Sequence, residues 1–260
     1  TVSFLSHFDG TNNGVNNAFD DGSTSNHTIT ANGSVTQGSF GPFARPEGEW
    51  GVNFDGAGDY LSAANNTAFD FGTGDFTVEA WVNLISTSSR SNLVGGSVNG
   101  SFDIQLTVPT NQISVGRTNI AYDFQTTYAF QIGQWTHIAI SRSSGTIRCF
   151  VNGTLLKSAS NSISYSQGSG VTTIGASDAS EHFPNGTYSN LRIVKGTAVY
   201  TSAFTPSTSP LTAITNTSLL TCQSNRFVDN SSSARAITSY GNASVSAFGP
   251  FLTSEVYDPA

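Results

Sequence analysis

Acidic side chains decide whether this chain could hydrolyse a sugar polymer. Glycoside hydrolysis uses two carboxyl groups, about 5–9.5 Å apart, that flank the scissile bond. The 260-residue sequence contains only five glutamates, and no predicted strand carries two acidic residues at alternating positions. Glu79 has Thr77 and Trp81 as its i±2 neighbours, and Asp103 also lacks an acidic partner at this spacing. We therefore predict that the chain is not an enzyme, and we interpret Glu79 as a hydrogen-bond acceptor within the sheet.

A histidine-activated serine is the second chemistry to consider. No Gly-x-Ser-x-Gly turn precedes a helical pattern, so acyl transfer has no support in the sequence. His137 follows Trp135 and Thr136 on a predicted strand, and we interpret it as a hydrogen-bonded sheet residue.

Aspartates in predicted turns are the residues that could hold a metal ion. Calcium takes six to eight oxygen ligands, and loops supply carbonyl oxygens besides carboxylates. The 176–186 loop contains Asp178 and Asn185, which with backbone oxygens are the predicted Ca²⁺ ligands. The alternative is that each turn carboxylate only caps a backbone N–H, as aspartate commonly does.

Two groups of residues combine aromatic rings with polar side chains in the way that glycan sites do. They are Arg117, Tyr122 and Asp123 on one predicted edge, and His182, Phe183 and Asn185 on another. The same residue types are also enriched at protein–protein interfaces, so a protein contact is an equal alternative.

Short strands must position these residues. In residues 76–82, Phe76, Val78, Ala80 and Val82 fall on one face, which is the period of a strand with that face in a core. Trp81 lies on the other face, which indicates that this face is also partly covered. Similar segments separated by regular turns recur along the chain, and Asn-Gly at 152–153 is a strong hairpin signal. The pattern predicts an all-β sandwich.

Composition excludes some partners. The net charge is −7, and the only lysines are Lys157 and Lys195, so the chain lacks the clustered cations that a nucleic-acid groove needs. No run is long and apolar enough to predict a membrane span. Cys149 alternates with Ile147 and Val151, which predicts a buried thiol, although a bridge to Cys222 stays open.

The two ends of the chain repeat each other. Phe-Gly-Pro-Phe ends both copies, at 40–43 and 248–251, and a constant offset of 208 relates residues 29, 33 and 40 to 237, 241 and 248. We predict an N-terminal β-hairpin segment (1–45), a jelly roll (46–200), an extended linker (201–217) and a C-terminal hairpin (218–260) that repeats 4–43. The C-terminal hairpin could pack on its own roll or add strands to a neighbouring subunit.

Three blocks of sequence carry a family resemblance. They are FDGAGDYL at 54–61 with FTVEAWV at 76–82, then WTHIAISR at 135–142 with IRCFVNG at 147–153, and FPNGTYSNLRIV at 183–194. Together they resemble a laminin-G-like, concanavalin A-like jelly roll. Ser189 and Asn190 stand where that family usually has an acidic pair. The resemblance implies a jelly-roll β-sandwich with flanking hairpins, and some similar rolls hold Ca²⁺ at the sheet rim.

A second resemblance concerns context. NLRIVKGTAVY at 190–200, with the proline-containing stretch after it and LLTCQ at 219–223, resembles structural proteins of marine tailed bacteriophages. It implies a module that decorates a capsid or builds a tail fibre. We predict a non-enzymatic structural or adhesion module at a virion surface or outside the cell. Its predicted partners are neighbouring copies of itself, other virion proteins and surface glycans. The alternative is a lectin-type domain whose main task is glycan capture.

Overall fold

The computed structural model describes residues 2–4, 21, 23–30, 32, 48–86 and 90–251. The described residues form fifteen strands and two single-turn 3₁₀ helices, Thr67–Phe69 and Val108–Thr110. The strands are β1 (Gly51–Asp55), β2 (Tyr60–Ala63), β3 (Phe76–Leu84), β4 (Arg90–Gly96), β5 (Phe102–Thr107), β6 (Gln112–Arg117), β7 (Ala121–Thr127), β8 (Thr136–Ser143), β9 (Thr146–Val151), β10 (Thr154–Ser160), β11 (Thr172–Ile174), β12 (Asn185–Lys195), β13 (Thr217–Thr221), β14 (Ile237–Tyr240) and β15 (Ser244–Ser246). None of the helices in these ranges has the length and apolar character needed to cross a membrane.

Two antiparallel sheets form the fold. The eight-stranded sheet has the order β10-β9-β8-β3-β12-β1-β15, with β13 also paired to β12. The seven-stranded sheet has the order β14-β2-β11-β4-β5-β6-β7. The predicted all-β jelly-roll sandwich is confirmed.

The core lies between the two sheets and follows the predicted alternation. Phe76, Val78, Ala80 and Val82 of β3 are all buried in it. On β5 the core residues are Phe102, Ile104 and Leu106, so the residues between them point to the outer face of the seven-stranded sheet. This alternation places polar side chains in a row on that outer face.

The outer face of β3 is covered by segments without regular secondary structure rather than by a further sheet. Glu79 is buried there and accepts hydrogen bonds from Arg192 (Nε 2.9 Å and Nη2 2.5 Å), from His137 Nε2 (3.2 Å) and from the Tyr200 hydroxyl (2.8 Å). Phe251 packs edge-on against Trp81 at 5.7 Å. The predicted role of Glu79 as an acceptor is confirmed, and the burial of this face is explained by the segments that follow β12 and β15.

The C-terminal segment differs from the predicted hairpin. β13 pairs with β12 and β15 pairs with β1, both in the eight-stranded sheet, whereas β14 pairs with β2 in the seven-stranded sheet. Consecutive strands of this segment therefore enter different sheets instead of pairing with each other. Each closes a sheet edge of its own roll, so the described C-terminal strands pack in cis.

The predicted N-terminal hairpin falls mostly on residues outside the described ranges, but one of its turns is described. The Asp21 carboxylate accepts hydrogen bonds from the backbone N–H groups of Ser23 and His27, both at 2.9 Å. Asp229 accepts the same two bonds, from Ser231 at 2.9 Å and Arg235 at 3.0 Å. The sequence repeat therefore extends to the hydrogen bonds of its turn.

The turn at 152–153 and the two cysteines were also predicted from local sequence. Asn152 and Gly153 join β9 to β10 with φ values of 48° and 77°, the left-handed conformation that the Asn-Gly signal predicted. Cys149 and Cys222 are both free and buried. Burial raises the pKa of each thiol to about 12, so both are unreactive at neutral pH.

Candidate functional site

A pocket of about 330 Å³ opens on the outer face of the seven-stranded sheet. Its floor is formed by β5, one wall by the end of β6 and the start of β7, and the other wall by β4 and the loop before β12. Residues far apart in sequence therefore meet here because the sheet places β4, β5, β6 and β7 side by side.

The floor is a buried hydrogen-bond network centred on Asp103. Its carboxylate accepts from the Asn92 side-chain amide, from Gln105 Nε2 at 2.6 Å and from the Ser177 hydroxyl at 3.3 Å. Gln105 Oε1 in turn accepts from the Tyr122 hydroxyl at 2.7 Å. The network fixes the positions of Gln105 and Tyr122 beneath and beside the pocket opening.

Asp103 is only 2% exposed, and burial raises its pKa to about 6 despite the three donors. The nearby charge of Glu181 acts in the same direction. Desolvation disfavours the charged form of a carboxyl group, which accounts for the direction of the change. The buried carboxyl group of the floor is therefore protonated more easily than a free aspartate.

One wall contains Arg117 and Tyr122, two residues of the first predicted ligand-binding group. The third residue of that group, Asp123, holds Arg117 in place. Asp123 accepts two hydrogen bonds from Arg117, from Nε at 3.0 Å and from Nη2 at 2.8 Å, in a bidentate ion pair. Tyr122 is 44% exposed, and Ile120 beside it is also exposed. This wall combines a fixed guanidinium with an open aromatic ring.

The opposite wall contains His182, from the second predicted group. Its Nε2 lies 3.2 Å from Arg90 Nη1 and 3.6 Å from Glu181 Oε2. A guanidinium has donors only, so Nε2 must accept from Arg90 and the ring is neutral. Burial lowers the pKa of His182, which agrees with a neutral ring, and so the contact with Glu181 is not an ion pair at pH 7. The two groups that the sequence placed on separate edges thus face one pocket.

The pocket contains a second carboxyl group. In the sequence, Asp103 has no acidic neighbour at i±2 on its strand, and Glu181 lines the same pocket from a loop. The pairing was missed because Glu181 lies on a loop that an i±2 strand pattern cannot detect. Asp103 nevertheless accepts from three donors of its own, and the Glu181 side chain is 47% exposed.

The remaining predicted residues do not line the pocket. Phe183 stacks on Tyr60 with 6.3 Å between ring centroids. Asn185 begins β12, pairs with Asp55 and accepts from the backbone N–H of Ile85 through its carbonyl. Asp178 accepts from Asn119 Nδ2 at 3.0 Å and from the Ser180 hydroxyl.

These contacts give the predicted Ca²⁺ site no support. Both carboxylate oxygens of Asp178 already accept bonds from neutral donors, and Asn185 belongs to a regular strand. No group of three His, Cys, Asp or Glu side chains within the described ranges could hold a metal ion. Calcium at Asp178 and Asn185 stays a prediction.

Comparison with known proteins identifies the fold family. Residues 55–205 match the family model described as the concanavalin A-like lectin/glucanases superfamily. The chain belongs to this superfamily. The description covers both lectins and glucanases, so membership by itself is compatible with binding or with hydrolysis.

Two solved structures share the architecture of this chain at low sequence identity. A candidate carbohydrate-binding protein from Bacteroides ovatus ATCC 8483 superposes with a TM-score of 0.56 and 16% identity over 79% of this chain, which spans 62% of that protein. The heptameric SAP-like pentraxin of Limulus polyphemus superposes with a TM-score of 0.51 and 14% identity, over 76% of this chain and 97% of the pentraxin. No curated protein sequence matches the chain significantly. The likeness establishes the concanavalin A-like fold.

Several pocket residues of this concanavalin A-like domain escaped sequence reasoning, chiefly Arg90, Gln105 and Glu181. One available signal was the position of Asp103 between core residues of β5, because aspartate is depleted in strand interiors. A buried aspartate at such a position requires donors, and the residues that supply them mark a polar site.

Proposed function

We propose that this chain is a non-enzymatic glycan-binding and adhesion module whose ligand site is the pocket on the outer face of the seven-stranded sheet. The observation that carries the proposal is the pre-organised chain of hydrogen bonds from buried Asp103 through Gln105 to the exposed ring of Tyr122. Glycan sites need fixed donors and acceptors beside an apolar surface, and this arrangement supplies both.

The polar groups of the pocket favour a sugar over a purely apolar ligand. Arg117 is held by Asp123, so its remaining N–H groups are fixed in direction. Asn119 and Glu181 add an amide and a carboxylate at the rim. Hydroxyl groups both donate and accept, so they can use this mixed set of partners.

Glycoside hydrolysis is a second candidate because Asp103 and Glu181 line one pocket and the pKa of Asp103 is raised to about 6. A catalytic acid must deliver its proton to the substrate. Asp103 is only 2% exposed, and its oxygens face Asn92, Gln105 and Ser177, which favours a structural role. Release of reducing sugar from algal or bacterial polysaccharide, lost in Glu181→Gln, would establish hydrolysis instead.

We propose that the module is located at an extracellular or virion surface, where it also contacts neighbouring copies or other virion proteins. The support is the sequence resemblance of about residues 188–251 to bacteriophage structural proteins. The strands β13, β14 and β15 pair with β12, β2 and β1 of their own roll, so a self-contact would not take these strands from their places in cis. Native mass spectrometry across a concentration series tests this part: a monomer throughout would exclude self-assembly.

Screening the full chain on a glycan array containing algal and bacterial polysaccharides tests the proposed binding. We expect hits that are lost in Tyr122→Ala and retained in Leu155→Ala, which changes an exposed side chain on β10 of the other sheet. Ca²⁺ at Asp178 and Asn185 is a separate proposal that rests on the sequence alone, and isothermal titration with millimolar Ca²⁺, repeated on Asp178→Asn, tests it. Absence of heat in the unaltered protein would remove calcium from the proposal.

A further inference from the structure

A row of aromatic rings continues from the pocket rim across the seven-stranded sheet. Phe183 follows His182 of the pocket wall and stacks on Tyr60, with 6.3 Å between centroids and 26° between ring planes. Tyr60 stacks on Tyr240 at 4.3 Å and 4°. The three rings therefore run from the loop beside the pocket to β2 and then to β14.

The row and the pocket lie on the same face of the sheet. Leu61 points into the core, so its neighbour Tyr60 points outward. Ile104 and Leu106 point into the core in the same way, so Gln105 of the pocket floor points outward. The loop that carries His182 and Phe183 lies beside β4, where the Asn92 backbone N–H donates to the His182 carbonyl at 2.8 Å. One ligand could therefore contact both regions without passing through the sheet.

The far end of the row is open. Tyr240 is 41% exposed and lies on β14, which ends the seven-stranded sheet within the described part of the chain. One face of its ring contacts Tyr60, directly opposite in the strand register. The preceding residues of β14, Thr238 and Ser239, are also exposed and bring no bulky side chain to this edge.

The open ring is held rigidly. The turn after β14 uses Gly241 at φ 69°, where an added Cβ would lie 2.3 Å from Asp59 Oδ1. That same oxygen accepts from the Asn242 backbone N–H at 2.7 Å, and Oδ2 of Asp59 accepts from the Asp55 N–H at 3.0 Å. Buried Asp59 thus fixes the turn that positions Tyr240. A preformed ring loses little conformational entropy when a ligand packs on it.

We propose that the exposed ring of Tyr240, which the stack on Tyr60 and Phe183 holds in place, is a second sugar-binding subsite, so that the chain binds an extended polysaccharide with one residue in the pocket and a later residue on the free face of Tyr240. The apolar C–H face of a pyranose packs on an aromatic face, and this contact needs no specific hydroxyl pattern. The inference rests on the proposed function, and it assigns a polymer rather than a terminal monosaccharide as the ligand. The pocket then selects the sugar, and the Tyr240 ring adds affinity with chain length.

Calorimetric titration of the full chain with oligosaccharides of two lengths tests the inference. The probes are the disaccharide and the hexasaccharide of β-1,3-glucan, β-1,4-xylan and alginate. For the glycan that binds, we expect the hexasaccharide to bind about tenfold more tightly than the disaccharide. Tyr240→Ala should remove that gain and leave disaccharide affinity unchanged. Tyr240→Phe, which keeps the ring, should retain the gain, as should Leu155→Ala, a side chain of similar exposure (38%) on the other sheet.

The outcomes separate the two levels of the proposal. If the unaltered protein binds none of the probes and no array glycan, the proposed function fails. If it binds both lengths with equal affinity, or if Tyr240→Ala keeps the full gain, the second subsite alone is overturned. Self-association that disappears in Tyr240→Ala, without any length-dependent binding, would assign the row to a protein contact and would also overturn it.

Discussion

Asp21 and Asp229, 208 positions apart, each accept hydrogen bonds from the backbone N–H groups two and six residues later. In the C-terminal copy this turn is fastened to the roll, because Asp229 Oδ1 also accepts from the Leu220 N–H of β13 at 3.0 Å. β13 in turn pairs with β12 at the centre of the eight-stranded sheet. One carboxylate therefore links the 229–235 turn to β13, which is itself paired to the roll.

Asp229→Ala should destabilise the protein by about 2–4 kcal/mol, because it leaves several buried N–H groups without an acceptor. Asp229→Asn keeps one acceptor oxygen, so its free energy of unfolding should lie between those of the unaltered protein and Asp229→Ala. The free energy of unfolding in urea, measured for all three, checks the order. A loss below about 0.5 kcal/mol for Asp229→Ala, the range of ordinary surface substitutions, would contradict the role assigned to this turn.

Glu79→Gln should cost about 3–5 kcal/mol at pH 7, because it leaves Arg192 buried without its counter-charge. Burial by itself would raise the pKa of Glu79, but hydrogen bonding from His137 and the charge of Arg192 outweigh it and hold the pKa below its ordinary value of 4.5. A carboxyl group with a lowered pKa stabilises the fold above its unfolded pKa and loses that contribution as the pH falls.

The unaltered protein should therefore lose stability as the pH is lowered below about 4.5, and Glu79→Gln should lose less over the same range. Urea unfolding at pH 3, 4, 5 and 7 measures the difference, with Glu49→Gln as the control at a glutamate outside this network. Equal acid sensitivity in Glu79→Gln and in the unaltered protein would show that this network does not set the acid limit.

Asp103 should change the stability of the fold with pH in the direction opposite to Glu79, and over a higher pH range. Its pKa is raised from 3.8 to about 6, so between these values the folded protein binds a proton that the unfolded chain does not. Lowering the pH from 8 to 5 should therefore stabilise the fold through Asp103, by about 1.4 kcal/mol. Asp103→Asn should lack this gain, because its amide cannot titrate. The difference between the two urea-unfolding profiles isolates the group, and parallel profiles would refute the assignment.

The sequence predicted those features of the fold and the site that depend on residues close together in the chain. The alternation of Phe76, Val78, Ala80 and Val82 and the Asn-Gly turn at 152–153 are local patterns, and the structure confirms both. Glu79 was correctly interpreted as an acceptor because a carboxylate inside an alternating strand must be paired. Its partner Arg192 follows the Ser189 and Asn190 positions on β12, where the chain departs from the family pattern.

The sequence could not predict how distant segments meet. Tyr122 and His182 were placed on separate edges because no local pattern shows that the β6–β7 turn and the loop before β12 face each other. The C-terminal segment differs from the predicted hairpin for a related reason: adjacency in sequence favours pairing of neighbours, but β14 and β15 pair with β2 and β1. These contacts depend on sheet order, which residue alternation does not specify.

Binding of a polysaccharide hit from the glycan array to the unaltered protein, to Tyr122→Phe and to Tyr122→Ala measures the central claim most directly. Tyr122→Ala removes the exposed ring and its bond to Gln105, and should weaken binding by at least about tenfold without lowering thermal stability substantially. Tyr122→Phe keeps the ring and should retain most of the affinity. Equal affinity of all three proteins for the same glycan would contradict the account, because the pocket would then not be the site that binds it.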